Sequence, residues 1–199
     1  MKQISRRDLL KIGGMGATGL LLTGMQSKPK APADPNTVVI HMENSYVTGR
    51  WYFEPAGVFI QKGQKVRWDS TKTGASVTAF HPSNFNHELR IPENAKPFDS
   101  GLMGDFENNV FEYTFEVEGT YDYFSRMHEP LGMIGRIIVG APGGPGEKPP
   151  GYGGAEGRAV VFPGEINAFQ ALSTKQIMDK KTLSLPKDLN LRAWPYSDS

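Results

Sequence analysis

Apolar and polar residues alternate with a period of two over much of the stretch from residue 38 to residue 139. Such a period belongs to strands that bury one face and expose the other. Val38, Ile40 and Met42 alternate with Val39, His41 and Glu43. Val58 to Ile60 and Val66 to Trp68 form two more runs, separated by the turn residues Lys62-Gly63. Phe111, Tyr113, Phe115 and Val117 share one side of the next run, Glu118-Gly119 makes a turn, and Tyr121-Asp-Tyr123-Phe opens another strand. Gly135-Arg-Ile137-Ile-Val139 is the last. Short strands at this spacing, without a long amphipathic stretch among them, predict an all-β fold: an antiparallel β-sandwich over residues 34–140.

The pattern breaks on either side of that region. Residues 141–157 hold eleven Gly or Pro in seventeen, a composition that predicts a linker. Beyond it, Arg158 to Phe162 suggests a short strand. Ser173-Thr-Lys-Gln176 reads as a capping box opening a helix over Thr174 to Lys181. Residues 158–199 as a whole read as an extended tail. With Leu183, Leu185, Leu189, Leu191, Trp194 and Tyr196 it is too short for its own core and apolar enough to bind a partner.

At the other end, Ser5-Arg6-Arg7-Asp8-Leu9-Leu10 reads as a twin-arginine export motif, followed by a Gly-rich apolar stretch from Ile12 to Met25. Residues 1–33 are therefore set apart as a signal or an uncleaved anchor. Ala31-Pro-Ala33 offers a cleavage site. The apolar run is shorter than the roughly 20 residues that span a bilayer comfortably, yet residues 9–25 together could still hold the chain to a membrane. Export predicts a location on the outer, periplasmic side of the cytoplasmic membrane. The net charge of +1 gives no electrostatic case for nucleic acid. There is no Cys in the chain, so neither disulfides nor a thiolate are available.

The chemistry-bearing residues gather late in the sandwich. Ser125-Arg-Met-His128-Glu-Pro-Leu-Gly-Met133 places one imidazole and one thioether on a single loop, and His87 and His81 precede it. Imidazole and thioether are ligands for copper. Each residue also has a plainer reading. Met fills irregular gaps in cores, His81 lies in a loop beside Pro82, and His41 alternates outward on a strand. Glu88 and Glu129 read as solvated loop carboxylates. Ser125 and His128 lack a third group to orient them as a nucleophile pair, and no catalytic residues are assigned; the chain is not read as an enzyme.

Residues 38–140 resemble the plastocyanin-like branch of the cupredoxins, including halocyanins. The likeness rests on Val58, Ile60, Gly63, Val66 and Trp68, on His87-Glu88-Leu89, on Phe98-Asp-Ser-Gly101, and on Gly119-Thr-Tyr-Asp-Tyr leading to His128 and Met133. The gaps from Ser125 to His128 and from His128 to Met133 match the family's Cys, His, Met spacing. The resemblance implies a Greek-key sandwich and a blue-copper site of two His, one Cys and an axial Met. It would put His87 and His128 as the imidazoles and Met133 as the axial ligand, with Ser125 at the Cys position. A hydroxyl supplies neither the charge nor the covalency of a thiolate, and Arg126 sets a cation beside the position.

Three readings follow. In the first, the chain is a degenerate, Cys-less cupredoxin-like subunit without a cofactor. It has a structural or docking role on a membrane-bound electron-transfer or photosynthetic complex. In the second, it is a copper carrier or electron-transfer protein with a non-blue site from His87, His128 and Met133, His81 being a possible further ligand. In the third, the Ser is an exchange made in an ordinary blue-copper carrier.

Overall fold

In the first strand Ile40 and Met42 are buried and His41 between them is exposed, so the period-two reading turns the right face inward. The computed structural model describes residues 34–45, 47–70, 74–85, 87–104, 108–153 and 161–191. The chain divides into two units, Met1–Ala33 and Asp34–Ser199. The expected export motif and anchor fall in the first, outside the described residues, as do Trp194 and Tyr196 near the end of the second. Among the described residues, no helix is long and apolar enough to cross a membrane.

In chain order the strands are β1 (Thr37–Ser45), β2 (Arg50–Glu54), β3 (Gly57–Ile60), β4 (Lys65–Ser70), β5 (Thr78–Ala79), β6 (Val110–Thr114), β7 (Gly119–Phe124), β8 (Ile134–Val139) and β9 (Thr182–Leu183). They form two sheets, of order β2-β1-β4-β6 and β5-β7-β8-β3-β9. The pairing is not wholly antiparallel. After β2 the chain crosses to the other sheet for β3 and returns, so β4 runs parallel to β1. In the same way β3 and β8 are parallel.

Between the sheets lies the main core. Ile40, Met42, Phe53, Val66 and Trp68 come from one sheet, and Val58, Ile60, Tyr121, Tyr123, Ile137 and Val139 from the other. Trp68 is fully buried, with the rings of Phe98, Phe111, Phe115 and Tyr123 at centroid distances of 5.5–6.4 Å. Gly135 faces Tyr123 across β7 and β8. A Cβ there would lie 2.2 Å from the Tyr123 ring, so only glycine lets the phenol lie flat on the strand.

The second sheet is covered on its outer face as well, which the sequence reading did not foresee. Two helices, α1 (Pro163–Ala171) and α2 (Thr174–Lys180), pack there. Phe169, Leu172, Ile177, Leu185 and Leu191 join Phe80, Phe124, Ile134 and Ile138 in a second core. Burying roughly 25 cal/mol per Å² of apolar surface, such a cluster adds substantially to stability. As expected, α2 begins at Ser173, whose hydroxyl accepts the Gln176 N–H. The strand expected over 158–162 lies mainly outside the described residues; Phe162 serves as the N-cap of α1.

The stretch expected to be a linker is instead tied to the sandwich in its described part, to residue 153, although many of its residues stay exposed. Pro145 and Gly146 are buried in a short turn. Arg90 donates to the carbonyls of Gly146 and Lys148, and Arg136 to that of Gly146 and to that of Leu172 just beyond α1. Both guanidiniums also pair with fully buried Asp122, at 2.8–2.9 Å. They face the Phe169 ring at 4.4 and 5.7 Å. Glu88, expected to be solvated, accepts from Arg90, Gly151 and Gly153. Glycine and proline expose backbone carbonyls, and here two arginines, one of them more than fifty residues away, collect them.

Candidate functional site: the Ser125–Met133 turn

Ser125 immediately follows β7, and the chain folds back on it. The Ser125 carbonyl accepts the N–H groups of His128 and Glu129, at 3.0 and 2.8 Å. The Ser125 N–H reaches the Met133 carbonyl at 3.0 Å. Gly132 closes the Glu129–Leu131 turn at φ +71°, a left-handed conformation suited to glycine. A Cβ there would also lie 2.7 Å from the Gly164 carbonyl, so the turn sits directly against the start of α1.

The Ser125 hydroxyl is fully buried and shared between two groups. It accepts the Ser76 N–H at 3.2 Å and lies 3.2 Å from His128 Nδ1. Trp51 stacks on the His128 ring, centroids 3.8 Å apart and planes within 8°. Burial holds the His128 pKa below its usual value, which favours the neutral ring. Neutral His128 with its proton on Nε2 can accept the Ser125 O–H at Nδ1, a tautomer assigned from the network. The Ser76 hydroxyl accepts the Arg126 N–H at 2.9 Å. The Arg126 side chain turns away to pair with Asp99 and lies 4.5 Å over the Phe85 ring.

His87 belongs to a different cluster. Its Nδ1 lies 2.9 Å from the Asn84 carbonyl, and its Nε2 lies 2.8 and 2.9 Å from the two oxygens of Glu129. Both partners are acceptors, so both nitrogens donate and the ring is an imidazolium. Burial opposes that charge, but the bond to Glu129 and its negative charge outweigh burial and raise the pKa. Phe124 stacks on the ring at 4.3 Å. Glu129, expected to be solvated, is only 6% exposed. Close by, burial and then the charge of Glu129 push Glu165 up to about 8; its carboxylate also accepts the Phe162 N–H.

Ser125, His128 and Met133 thus share one turn, as the sequence spacing requires. Met133 is fully buried in the main core. His81 is occupied locally, its Nδ1 against the hydroxyl and N–H of Ser83. Sequence reasoning missed Ser76, Trp51 and the burial of Glu129, because each acts through residues far away in the chain.

No family model matches the chain. Over 99 residues it is 32% identical to the chloroplastic plastocyanin of Tetradesmus obliquus, a stretch that is 46% of this chain and 61% of that protein. A Sinorhizobium pseudoazurin structure matches with a TM-score of 0.50 at 23% identity, over 68% of this chain and 92% of that one. The fold is cupredoxin-like. A Methylobacterium extorquens pseudoazurin also matches, at a TM-score of 0.44 and 23% identity over 52% of this chain and 75% of that one.

A cupredoxin-like fold raises the question of copper, and the donors present do not fit a blue site. Ser125, which the sequence resemblance would put at the thiolate position, carries a neutral hydroxyl already engaged by Ser76 and His128. His87 has both nitrogens committed to acceptors. Among the described residues, no group of three or more His, Cys, Asp or Glu is arranged to hold a metal ion.

Proposed function

We propose that this chain is a Cys-less cupredoxin-like subunit with a structural or docking role, held outside the cytoplasm on a membrane-bound electron-transfer or photosynthetic complex. The observation that carries this reading is Ser125: the residue at the thiolate position is buried and its hydroxyl is satisfied within the protein. A sandwich retained around such a position offers a surface to a partner in place of a redox centre.

Three features support it. Phe85 and Met127 are 61% and 62% exposed, and Arg126 lies between the turn and the Phe85 ring; aromatic, Met and Arg side chains are favoured interface anchors. Arg6-Arg7 and the apolar run after them suit export and membrane attachment. The likeness to a plastocyanin described as chloroplastic suits a non-cytoplasmic setting.

A second reading keeps copper on a non-blue site from His87, His128 and Met133. It is favoured by His128, which turns Nδ1 towards the thiolate position.

Recovery from native membranes in mild detergent separates the two. A docking subunit co-purifies with a larger complex in a stable ratio and contains no stoichiometric copper. A protein recovered free, monomeric and copper-loaded would overturn the docking reading.

A further inference from the structure

We infer that this corner of the fold lacks two strong copper ligands and not one: an imidazole at Ala75 as well as the thiolate at Ser125, with His87 unable to replace the first.

The ligands of a copper ion must border one another, so the question is which segment borders Ser125. Two hydrogen bonds answer it. Ser76 donates its N–H to the Ser125 hydroxyl at 3.2 Å, and its own hydroxyl accepts the Arg126 N–H at 2.9 Å. The chain around Ser76 is therefore sewn to the chain around Ser125. Ala75 directly precedes it, is 2% exposed, and belongs to the same core cluster as Met133. Its backbone is fixed by a bridge to Met103, whose N–H reaches the Ala75 carbonyl at 2.8 Å. A methyl group there offers no donor. The neighbouring positions do no better: Val77 is apolar, and the Thr78 hydroxyl is engaged with Ser76 and Asp99.

His87 approaches from elsewhere and is held in place. A ligating imidazole nitrogen must present a lone pair. Both nitrogens of His87 instead donate, to Asn84 and to Glu129, and the ring stacks on Phe124. Bringing it to a metal would break the Glu129 pair and leave that largely buried carboxylate without its cation. Restoring a thiolate alone would give copper one thiolate, one imidazole and a weak thioether, short of the two imidazoles that a blue site uses.

The experiment adds Cu(II) to three full-length proteins, S125C, A75H/S125C and S125C/H87Q, and reads the intense thiolate-to-copper absorption in the visible, with circular dichroism reporting folding. S125C is expected to remain without that band and A75H/S125C to develop it. An intense band in S125C that disappears in S125C/H87Q would overturn the inference, because His87 would then be the second imidazole. A folded but colourless A75H/S125C would overturn the assignment of Ala75. Should the added volume at position 75 prevent folding, S125C with and without His87 still decides: absence of the band sustains the inference, and a band dependent on His87 ends it. None of these outcomes depends on docking to a complex, which co-purification reads separately.

Discussion

His87 and Glu129 join the loop before Ile91 to the turn after Ser125 by a charged pair at 2.8 Å. An imidazolium and a carboxylate 42 residues apart thus connect two loops that the sheets alone do not join. Glu129→Ala leaves His87 half-buried with one acceptor lost. A cost of about 1–3 kcal/mol is expected, below that of a fully buried pair because His87 keeps some access to water. Chemical denaturation measures it. An unchanged midpoint would mean that the pair contributes nothing to folding.

The same cluster makes stability depend on pH. His87 is raised above its ordinary 6.5, so its contribution is full below that value and is lost as pH rises through the folded-state value. Glu165 has the same sign: its neutral carboxyl is favoured in the fold, and stability falls as pH rises from 4.5 towards about 8. His128 is lowered and acts oppositely, losing stability on acidification below 6.5. Above neutrality, the first two carry the dependence among the described residues. Unfolding free energy is therefore expected to decline from about pH 6.5 to about pH 8.5, and Glu165→Gln to flatten the decline. A wild-type curve that rises over this range would refute the assignment.

Removing residues 158–199 is expected to abolish cooperative unfolding or lower the midpoint severely. It would uncover Phe124, Ile134 and Ile138 and take the Leu172 carbonyl from Arg136. A milder version is Phe169→Ala, expected to cost about 3–5 kcal/mol as a buried aromatic. Its ring also faces Arg90 and Arg136. A truncated chain that melts as sharply and as high as the full one would restore the view of this region as a detachable tail.

That region also shows where the sequence was readable and where it was not. β1, β3 and β4 declare themselves because local alternation records which side is buried. β8, Ile134–Val139, is buried at every position because both its faces are covered, and its one charge, Arg136, is paired with Asp122. In β2 only Phe53 is buried, so Arg50-Trp-Tyr-Phe-Glu54 shows no usable alternation. The Gly/Pro stretch reads as a linker because most of its attachments are backbone groups, which leave no mark in the sequence, and their partners Glu88 and Arg90 lie more than fifty residues away. Ser125, His128 and Met133 are legible as a site because one turn holds them. Ser76 is not, because its relation to Ser125 is a backbone N–H that any residue could supply.

The two imidazoles should titrate on opposite sides of the ordinary value, although both sit near the same turn. For His87, an acidic partner overcomes burial; for His128, burial acts without such a partner. Trp51 supplies much of that cover by lying flat on the His128 ring at 3.8 Å. Trp51→Ala should admit water and bring the His128 pKa back up towards 6.5, leaving His87 unchanged. Glu129→Gln should do the reverse, lowering His87 while sparing His128, since the amide can still accept a hydrogen bond but carries no charge. NMR titration of the imidazole protons in the three proteins reads all four shifts. If Trp51→Ala leaves His128 where it was, the stacked indole is not what keeps that ring neutral, and the cause must lie in the Ser125 hydrogen bond instead.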